Sequence, residues 1–427
     1  MDEQEKFDAI IIGAGPAGTA CAYILAREGK NVLVIERGVS AGCKNVTGGR
    51  LYTYALELVE PGLHEEAPLE RKVVREQIML LGAGSAITVD YLDYTFKQDI
   101  PQSYSILRAP FDEWFAGKAE EQGAMIAPGI LVDDLIIQDN KVIGVKAGED
   151  EMYAAVVIAA DGINSFMAQK AGLRSDITGH MAGVGVKEII ELPAETIQQR
   201  FNLAADEGTA RMIIGCTEGI QGGGFLYTNK DSISLGIVFS PESAAKQGKS
   251  IQQIYQDFKM HPAIFPLIGD GNSVEYGAHL VPESGWRGVP GKLYRDGFLI
   301  TGDAAGFCIN TGTILRGIDL AIVSGVAAAR AVIKTADNAA IGPAYVKELE
   351  ELGLIPTMKM FAGWPDIVAI PRMAETYPRL ANDVVRFMFA VDGSVPQKMP
   401  KAMKNIVKRH ISIGQLLSDG WKGVTSV

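Results

Sequence analysis

The chain has 427 residues, of which 47% are hydrophobic and 21% charged, a composition typical of a globular protein large enough for two or three fused units. Its formal net charge of −11 argues against a nucleic-acid partner. Residues 1–6 are polar and acidic, unlike a signal peptide, and no apolar run reaches the roughly 18 residues of a membrane span. We therefore expect a cytoplasmic protein.

The N-terminal region contains a complete dinucleotide-binding unit. Its apolar residues 9–12 and 32–35 predict two buried strands, with a helix over residues 20–28 between them. The second strand ends at Glu36 and Arg37. The first strand runs into a G-x-G-x-x-G motif formed by Gly13, Ala14, Gly15, Pro16, Ala17 and Gly18. We expect the helix N-terminus to bind a pyrophosphate and Glu36 to accept hydrogen bonds from a ribose.

A glycine-rich loop, residues 38–54, follows the second strand. A loop of this length beside the ribose site is usually functional, and its glycines permit close approach of the backbone. Lys44 and Arg50 are the charges at its centre. We consider a cofactor-side or partner-side role for them, and the simpler alternative is a pair of exposed loop cations.

Three later strand ends carry further candidate residues. Arg108 ends a predicted strand, residues 104–108, and precedes a helix over residues 111–122. Asp161-Gly162 and Gly302-Asp303 each follow a buried strand and precede a helix. An acid in such a place can accept ribose or ribityl hydroxyls, and the glycine beside it lets the backbone come near. The arginine can pair with a phosphate or with a neighbouring acid.

Residues 180–290 have a different sequence pattern from the residues before them. They read as short strands separated by turns, with His279 as a structural residue near the end of one strand. We predict an antiparallel sheet inserted into an α/β nucleotide-binding fold. The predicted parts are residues 1–179 and 291–340 for the nucleotide-binding domain, 180–290 for the sheet domain, and 341–427 for a helical region with a basic tail.

Together these motifs resemble the FAD-binding proteins of the glutathione-reductase structural class, in the branch with aromatic hydroxylases and geranylgeranyl reductases. The G-x-G-x-x-G motif alone would also fit NAD, but the added D-G and G-D motifs favour FAD. The resemblance implies a Rossmann-like fold of the glutathione-reductase type with an inserted antiparallel sheet for the substrate. The cofactor-binding residues that we predict are Gly13, Ala14, Gly15, Pro16, Ala17, Gly18, Glu36, Arg37, Lys44, Asn45, Arg108, Val132, Asp161, Gly162, Gly302, Asp303, Gly312, Arg316, Gly317 and Ile318.

A closer resemblance is to FixC-type proteins of the electron-transfer flavoprotein:quinone oxidoreductase family. It is carried by the loop residues 44–52, Lys-Asn-Val-Thr-Gly-Gly-Arg-Leu-Tyr, and extends over nearly the whole chain. It implies an FAD-dependent oxidoreductase that takes electrons from an electron-transfer flavoprotein and passes them to a quinone. Full-length family members carry a four-iron cluster in a C-terminal ferredoxin-like domain, whereas no cysteine follows Cys308 here. The resemblance therefore implies a separate ferredoxin-like iron–sulfur subunit as a partner.

No metal site is expected in the chain itself. Its four cysteines form no C-x-x-C pair, and its five histidines are not spaced as metal ligands. No acid–base dyad stands out, which is typical of proteins whose chemistry is carried by a cofactor. Beyond the flavin, the hypothesis is that Lys44 and Arg316 lie on the flavin side. Replacing Arg316 with Ala should then lower the flavin potential.

Two other functions stay open. A geranylgeranyl-reductase-like enzyme would reduce isoprenoid double bonds, and a flavin relay subunit would bind no small substrate. Quinone-dependent reoxidation would distinguish them from a quinone reductase.

The C-terminal tail is basic. Residues 396–427 contain five lysines and one arginine against one acid, and residues 398–409 predict a basic amphipathic helix. Such a helix can lie on an anionic membrane surface, which would make the protein peripheral on the cytoplasmic face. The alternatives are a helix docked on the body of the protein or a platform for acidic partner subunits.

Overall fold

A computed structural model describes residues 6–44, 49–176, 179, 182–246 and 248–425. Its strands are β1 (Lys6–Ile12), β2 (Val32–Glu36), β3 (Gly49–Tyr52), β4 (Lys72–Leu81), β5 (Ala86–Leu92), β6 (Ser103–Ile106), β7 (Met125–Pro128), β8 (Asp134–Gln138), β9 (Lys141–Ala147), β10 (Asp150–Ala159), β11 (Ala182–Glu191), β12 (Glu207–Ile214), β13 (Gly222–Thr228), β14 (Ser232–Phe239), β15 (Asn272–Pro282), β16 (Tyr294–Arg295), β17 (Phe298–Ile300), β18 (Ile309–Asn310) and β19 (Leu315–Arg316).

The α-helices of the same residues are α1 (Pro16–Arg27), α2 (Tyr54–Val59), α3 (Leu63–Glu66), α4 (Arg108–Glu121), α5 (Phe166–Lys170), α6 (Ala194–Phe201), α7 (Pro241–Ala244), α8 (Ile251–Lys259), α9 (Phe265–Ile268), α10 (Ile318–Lys334), α11 (Asn338–Glu351), α12 (Leu354–Met360), α13 (Trp364–Val368), α14 (Thr376–Phe389), α15 (Met399–His410) and α16 (Ile413–Thr425). Within this part of the chain no helix is long and apolar enough to cross a bilayer.

The first sheet has the order β16-β17-β10-β1-β2-β7 and is parallel from β17 to β7. Its central strands are buried on both faces, as their unbroken apolar runs predict. Helices α1 and α10 pack against each other beside this sheet. They are so close that a Cβ at Gly325 of α10 would come within 2.1 Å of the Ala17 carbonyl oxygen. The parallel arrangement brings the carboxyl ends of β1, β2, β10 and β17 to one edge.

The second sheet has the order β15-β11-β14-β13-β12-β4-β6-β3, with β5 paired to β4. It is antiparallel except for the parallel pair β4 and β12. Residues 49–106 lie within the segment 1–179 that was predicted for the nucleotide-binding domain. In the structure they supply β3, β4, β5 and β6 to the second sheet. Alternating apolar residues in β4 predict a strand but not its partner, which lies about 130 residues away in the chain.

The two faces of the second sheet have different neighbours. One face forms an apolar core with α6 and α8 that includes Ile197, Tyr255 and Phe258. The other face carries a smaller cluster around Val73, Phe225 and Tyr227. This second face is the one that meets the edge of the first sheet, because Phe225 and Tyr227 share a cavity with Gly13 of the first sheet.

The C-terminal region is helical, as predicted. Helix α11 begins at Asn338, where the Asp337 carboxylate accepts a hydrogen bond from Ala339 N and caps the helix. Helix α14 packs on β4, and α15 packs on α14. The limits of the three predicted domains stay a prediction.

Candidate functional site

A cavity of about 340 Å³ lies between the two sheets. On one side it is bounded by the carboxyl ends of the first sheet. We call this side the nucleotide wall, which consists of Gly13, Gly15, Glu36, Asp161, Gly302 and Asp303. The opposite side is the inner face of the second sheet. We call it the sheet wall, which consists of Lys187, Phe225, Tyr227, Val238, His279 and Val281.

The three motif glycines meet three different constraints. Gly13 has φ +104°, and a Cβ there would come within 2.4 Å of the Ala160 carbonyl oxygen. A Cβ at Gly18 would come within 2.0 Å of the Gly13 carbonyl oxygen, so Gly18 serves packing and does not line the cavity. At Gly15 a Cβ would meet nothing within 4 Å, because this residue borders the cavity itself. Any side chain at Gly15 would occupy ligand space at the N-terminus of α1.

Glu36 is fixed at the end of β2 by two backbone donors. Its Oε2 accepts from Ala14 N at 3.0 Å and its Oε1 from Gly38 N at 2.5 Å. Each carboxylate oxygen keeps a further lone pair, so Glu36 can also accept hydrogen bonds from ligand hydroxyls. Ala14 thus orients Glu36 without lining the cavity, while Arg37 lines it.

Asp161 lies at the end of β10 and binds the first turn of α5. Its carboxylate accepts hydrogen bonds from Ser165 Oγ at 3.1 Å and Met167 N at 3.2 Å. Burial nevertheless raises the pKa of Asp161 to about 6, with the hydrogen bonds opposing that rise. Gly162, with φ +76°, follows it at the cavity edge.

Asp303 lies in a short turn after β17. No sequence pattern indicated that Arg174 contacts this turn. The Arg174 guanidinium holds this turn, since Nη1 donates to Asp303 O at 3.1 Å and to Ala304 O at 2.9 Å. Among the described residues, no hydrogen bond reaches the Asp303 carboxylate. Burial raises the pKa of Asp303 although the positive charges of Arg108, Arg174 and Lys187 oppose the rise. A half-buried carboxylate that accepts no hydrogen bond from the described residues is suited to accept hydroxyl groups of a ligand.

Arg108 is the first residue of α4 and lines the cavity. Its Nε and Nη2 contact the two carboxylate oxygens of Asp112 at 3.0 and 2.7 Å. This paired geometry fixes the guanidinium and offsets most of its charge. Arg108 therefore borders the cavity with its guanidinium held by Asp112, and its role toward the cofactor stays a prediction.

The sheet wall was missed by sequence reasoning, and His279 was interpreted only as structural. The Phe225 and Tyr227 rings lie 5.6 Å apart on one face of β13, and Lys187 and His279 project from β11 and β15. The i, i+2 spacing of Phe225 and Tyr227 could have indicated a shared face. No sequence pattern indicated which residues of the second sheet face the nucleotide wall.

The loop after β2 is described only in part. Lys44 lines the cavity, whereas Asn45 lies outside the described residues. Arg50 also lines the cavity, but it is not a free loop cation. It pairs with Glu76 at 2.5 Å and donates from Nε to Ser103 Oγ at 2.9 Å.

Besides Ala14 and Gly18, two more predicted residues, Gly312 and Arg316, lie outside the cavity lining. The Arg316 guanidinium pairs with Asp319 at 2.7 Å and donates to Tyr54 Oη at 2.9 Å. Gly312, with φ +75°, donates from its backbone N to Asn310 Oδ1 at 2.8 Å. By contrast Val132, Gly317 and Ile318 do line the cavity. The flavin-side role of Arg316 stays a prediction, and its paired charge reduces the effect that we expect from its removal.

The residues present fit a flavin dinucleotide. The open space at Gly15 beside the N-terminus of α1 suits a pyrophosphate, and the lone pairs of Glu36 suit a ribose. The Asp303 carboxylate, to which no described residue donates a hydrogen bond, suits the hydroxyls of a ribityl chain. The cavity then continues to the aromatic residues of the sheet wall, where a flat ring system can pack.

Comparison with curated proteins gives matches over the full length. The chain is 46% identical to the "Probable electron transfer flavoprotein-quinone oxidoreductase YdiS" of Escherichia coli strain K12, with 99% of each chain covered. It is also 46% identical to "Protein FixC" of Escherichia coli O157:H7, again with 99% of each covered. The chain belongs to the ETF-QO/FixC family. It is therefore a flavoprotein oxidoreductase of that family.

Two family models match parts of the chain. The model described as the ETF-QO/FixC family C-terminal domain matches residues 364–427, which span α13 to α16. The Thi4 family model matches residues 1–62, which include the G-x-G-x-x-G motif. The part of the chain that the ETF-QO/FixC model matches is therefore the helical C-terminal region.

Solved structures confirm the predicted fold class. A geranylgeranyl bacteriochlorophyll reductase-like protein from Thermoplasma acidophilum superposes with a TM-score of 0.70 at 19% identity, covering 97% of this chain and 99% of that one. The flavin-dependent brominase Bmp2 gives a TM-score of 0.62 at 18% identity, covering 95% and 99%. At such identities the likeness shows the fold of this ETF-QO/FixC member and not its substrate.

Proposed function

We propose that this protein binds FAD in the cavity, accepts electrons from an electron transfer flavoprotein and passes them to a quinone. The observation that carries the proposal is the full-length match, at 46% identity, to a relative whose name states this activity. The two walls of the cavity support it, because one suits a dinucleotide and the other an aromatic acceptor.

The nucleotide wall would hold the cofactor through backbone groups and carboxylates. The N-terminus of α1 would receive the pyrophosphate, Glu36 the ribose, and Asp303 the ribityl chain. When bound, FAD would supply the transfer of one or two electrons. The protein would bind it, exclude water from it and set the charge around it.

The sheet wall would receive the quinone. Phe225, Tyr227 and Val281 offer a flat apolar surface on which an aromatic ring can pack. Lys187 and His279 add two polar groups beside it. A geranylgeranyl-reductase-like function is less well supported, because the only observation that favours it is a fold shared at 19% identity.

A separate ferredoxin-like iron–sulfur subunit is part of the proposal. The resemblance to FixC-type proteins implies it, and the four cysteines of this chain are too far apart in sequence to form a ferredoxin motif. A complex of this chain with such a subunit and an electron transfer flavoprotein would place the electron donor close to the FAD. Co-purification of the three from a shared expression host would test this part alone.

Contact with an anionic membrane surface is also proposed, but through α16 rather than the basic helix. In α15 the apolar residues Ala402 and Ile406 are only 4% exposed, because they pack on the body of the protein. In α16, by contrast, Leu417 is 68% and Trp421 72% exposed, and Ile413, Leu416 and Val424 are also exposed at helical spacing. The buried Asp419, paired with Arg372, orients this face away from the body. Exposed lysines of α15 lie in the same C-terminal region.

Flotation with vesicles tests the membrane contact. The wild-type protein should float with phosphatidylcholine vesicles that contain phosphatidylglycerol, and the double variant Leu417→Glu, Trp421→Glu should stay at the bottom. The double variant Lys401→Glu, Lys404→Glu should float less and only at low salt. Equal flotation of all three proteins would remove the proposed role of α16.

The principal experiment is reoxidation by a quinone. The purified protein loaded with FAD and reduced under anaerobic conditions should regain its oxidised visible spectrum on addition of a water-soluble ubiquinone or menaquinone analogue. Reoxidation by geranylgeranyl diphosphate in place of quinone would identify the reductase alternative. Reoxidation by neither compound would identify a relay subunit.

A further inference from the structure

Lys187 is the lysine of the sheet wall, and its position is set by a glycine. Gly236 faces Lys187 from the neighbouring strand β14. A Cβ at Gly236 would come within 2.3 Å of Phe225 Cζ. Because Gly236 has no side chain, the Phe225 ring reaches across β14 until its centroid is 5.6 Å from Lys187 Nζ. Ammonium group and aromatic ring therefore border the cavity together.

Lys187 differs from a second lysine in a comparable setting. Lys259 packs on the opposite face of the same sheet, 5.9 Å from the Tyr255 ring, and its Nζ contacts both carboxylate oxygens of Glu188 at 2.7 and 2.8 Å. In the part of the chain that the structure describes, Lys187 Nζ has neither a hydrogen bond nor an ion pair. Its three donors are available to a ligand in the cavity, whereas Lys259 is occupied by a structural partner.

Four charged or titratable groups surround Lys187. Arg108 of α4 and His279 of β15 line the same cavity, while Asp303 and Glu275 contribute negative charge. Burial lowers the pKa of Lys187 to about 8, with Arg108 adding to the fall and the two acids opposing it. At neutral pH the amine is therefore charged, yet it can release a proton at a small cost in free energy.

The other titrating groups of the cavity behave differently. Burial and the charges of Lys187 and Arg108 lower the pKa of His279, so that this residue is neutral at neutral pH. Burial raises the pKa of Tyr227 above its ordinary value, and the pKa of Asp161 is about 6. A titration near pH 8 would therefore point to Lys187.

We propose that Lys187 is a catalytic residue for quinone reduction: its ammonium group donates a hydrogen bond to a carbonyl oxygen of the quinone on the sheet wall and gives that oxygen a proton. The inference rests on the proposed function and assigns it a proton donor. A quinone takes up two electrons and two protons to become a quinol. FAD, when bound and reduced, would supply both electrons and one proton, and Lys187 would supply the other proton. The Nζ–H bond breaks as the O–H bond forms, and the neutral amine regains a proton from water.

The test compares three variants in single-turnover reoxidation by a quinone analogue over a range of pH. In the wild-type protein the rate should fall as pH rises through about 8, because the donor loses its proton. Lys187→Met and Lys187→Arg should both be about 100-fold slower and should lose this fall, since Arg keeps the charge but gives up no proton. Lys259→Arg is the matched control and should retain the wild-type rate and pH profile.

A second measurement needs neither FAD nor turnover. Competitive acetylation of the cofactor-free protein with acetic anhydride, read by mass spectrometry at each pH, gives the titration of individual lysines. Lys187 should become reactive around pH 8, and a redox-inactive quinone analogue should protect it, while Lys259 should react slowly throughout. This measurement tests the role of Lys187 even if Lys187→Met does not fold.

The outcomes distinguish a failure of the proposed function from a failure of the proposed role of Lys187. A wild-type protein that no quinone reoxidises overturns the proposed function and this inference with it. A wild-type protein that is reoxidised while Lys187→Arg keeps its rate shows that only charge is needed, which overturns the inference alone. A lowered flavin potential in Lys187→Met with an unchanged pH profile would likewise overturn it, because Lys187 would then act on the flavin.

Discussion

The two walls of the cavity bind by different means. The nucleotide wall presents backbone N–H groups, glycines and carboxylates fixed at the ends of parallel strands. The sheet wall presents side chains: two aromatic rings, a lysine and a histidine on the face of a largely antiparallel sheet. Backbone groups recognise what every dinucleotide shares, whereas side chains can be exchanged without rebuilding the strand that bears them. Substitutions in this fold can therefore change the binding of the acceptor without changing the binding of the cofactor.

The largest expected effect is on the nucleotide wall, in Gly13→Ala. The added Cβ would meet the Ala160 carbonyl oxygen at 2.4 Å, at a φ of +104° that alanine rarely adopts. We expect a loss of about 3–5 kcal/mol in the free energy of unfolding, measured by urea denaturation. Gly29→Ala is the control, because Gly29 has a positive φ but nothing within 4 Å of the added Cβ. Equal losses in both variants would show that the contact with Ala160 does not matter.

The second effect should fall on the cofactor and leave the fold unchanged. Gly15 has φ −79° and ψ 179°, which valine adopts readily, and its Cβ would point into open space. Gly15→Val should therefore leave the unfolding of the cofactor-free protein unchanged while it weakens FAD binding roughly 100-fold, about 2.8 kcal/mol. Fluorescence titration with FAD measures the affinity. Wild-type affinity in this variant would mean that the dinucleotide does not pass over Gly15.

Asp161→Asn should give a smaller effect that depends on pH. The folded-state pKa of about 6 exceeds the ordinary 3.8, so the folded protein binds the proton more tightly and loses stability as pH rises through that interval. The cofactor-free Asn variant should then be about 1–2 kcal/mol more stable than the wild type above about pH 6, and equally stable near pH 4. Thermal unfolding at several pH values measures this. A difference that does not change with pH would contradict the assignment.

The smallest effect should appear on the sheet wall. Phe225→Leu removes an aromatic contact of about 1 kcal/mol and should raise the KM for a quinone about fivefold with FAD retained. Phe258→Leu is the control, because Phe258 is as deeply buried but belongs to the core on the other face of the sheet. It should lower stability and leave KM unchanged. Loss of FAD from Phe225→Leu would show that the two walls are not independent.

The sequence predicted the nucleotide wall because its requirements are local. Gly13, Gly15 and Glu36 fall within one strand–turn–helix–strand unit, and its two strands, β1 and β2, contain the unbroken apolar runs 9–12 and 32–35. The distant Asp161 and Gly302 were recognisable since each also ends such a strand. Arg316 and Gly312 were predicted by resemblance alone, and the structure places both outside the cavity lining.

The sheet wall and the membership of the second sheet required the tertiary structure. The pairing of β4 with β12 joins residues that are far apart in the chain, and alternation within a strand does not specify its partner. Likewise the apolar pattern of α15 was visible, but only packing decided that Ala402 and Ile406 are covered while Trp421 of α16 is not.

What the sequence by itself determined is therefore the cofactor class, the fold class and the family, each through motifs whose chemistry is complete within a few residues. What only the tertiary structure decided is which side chains face the cofactor from across the cavity. Lys187 is the clearest case, because its place beside the Phe225 ring at the cavity depends on Gly236 and Phe225, which lie on two other strands. Such a neighbourhood is a property of strand pairing, and no local pattern encodes it.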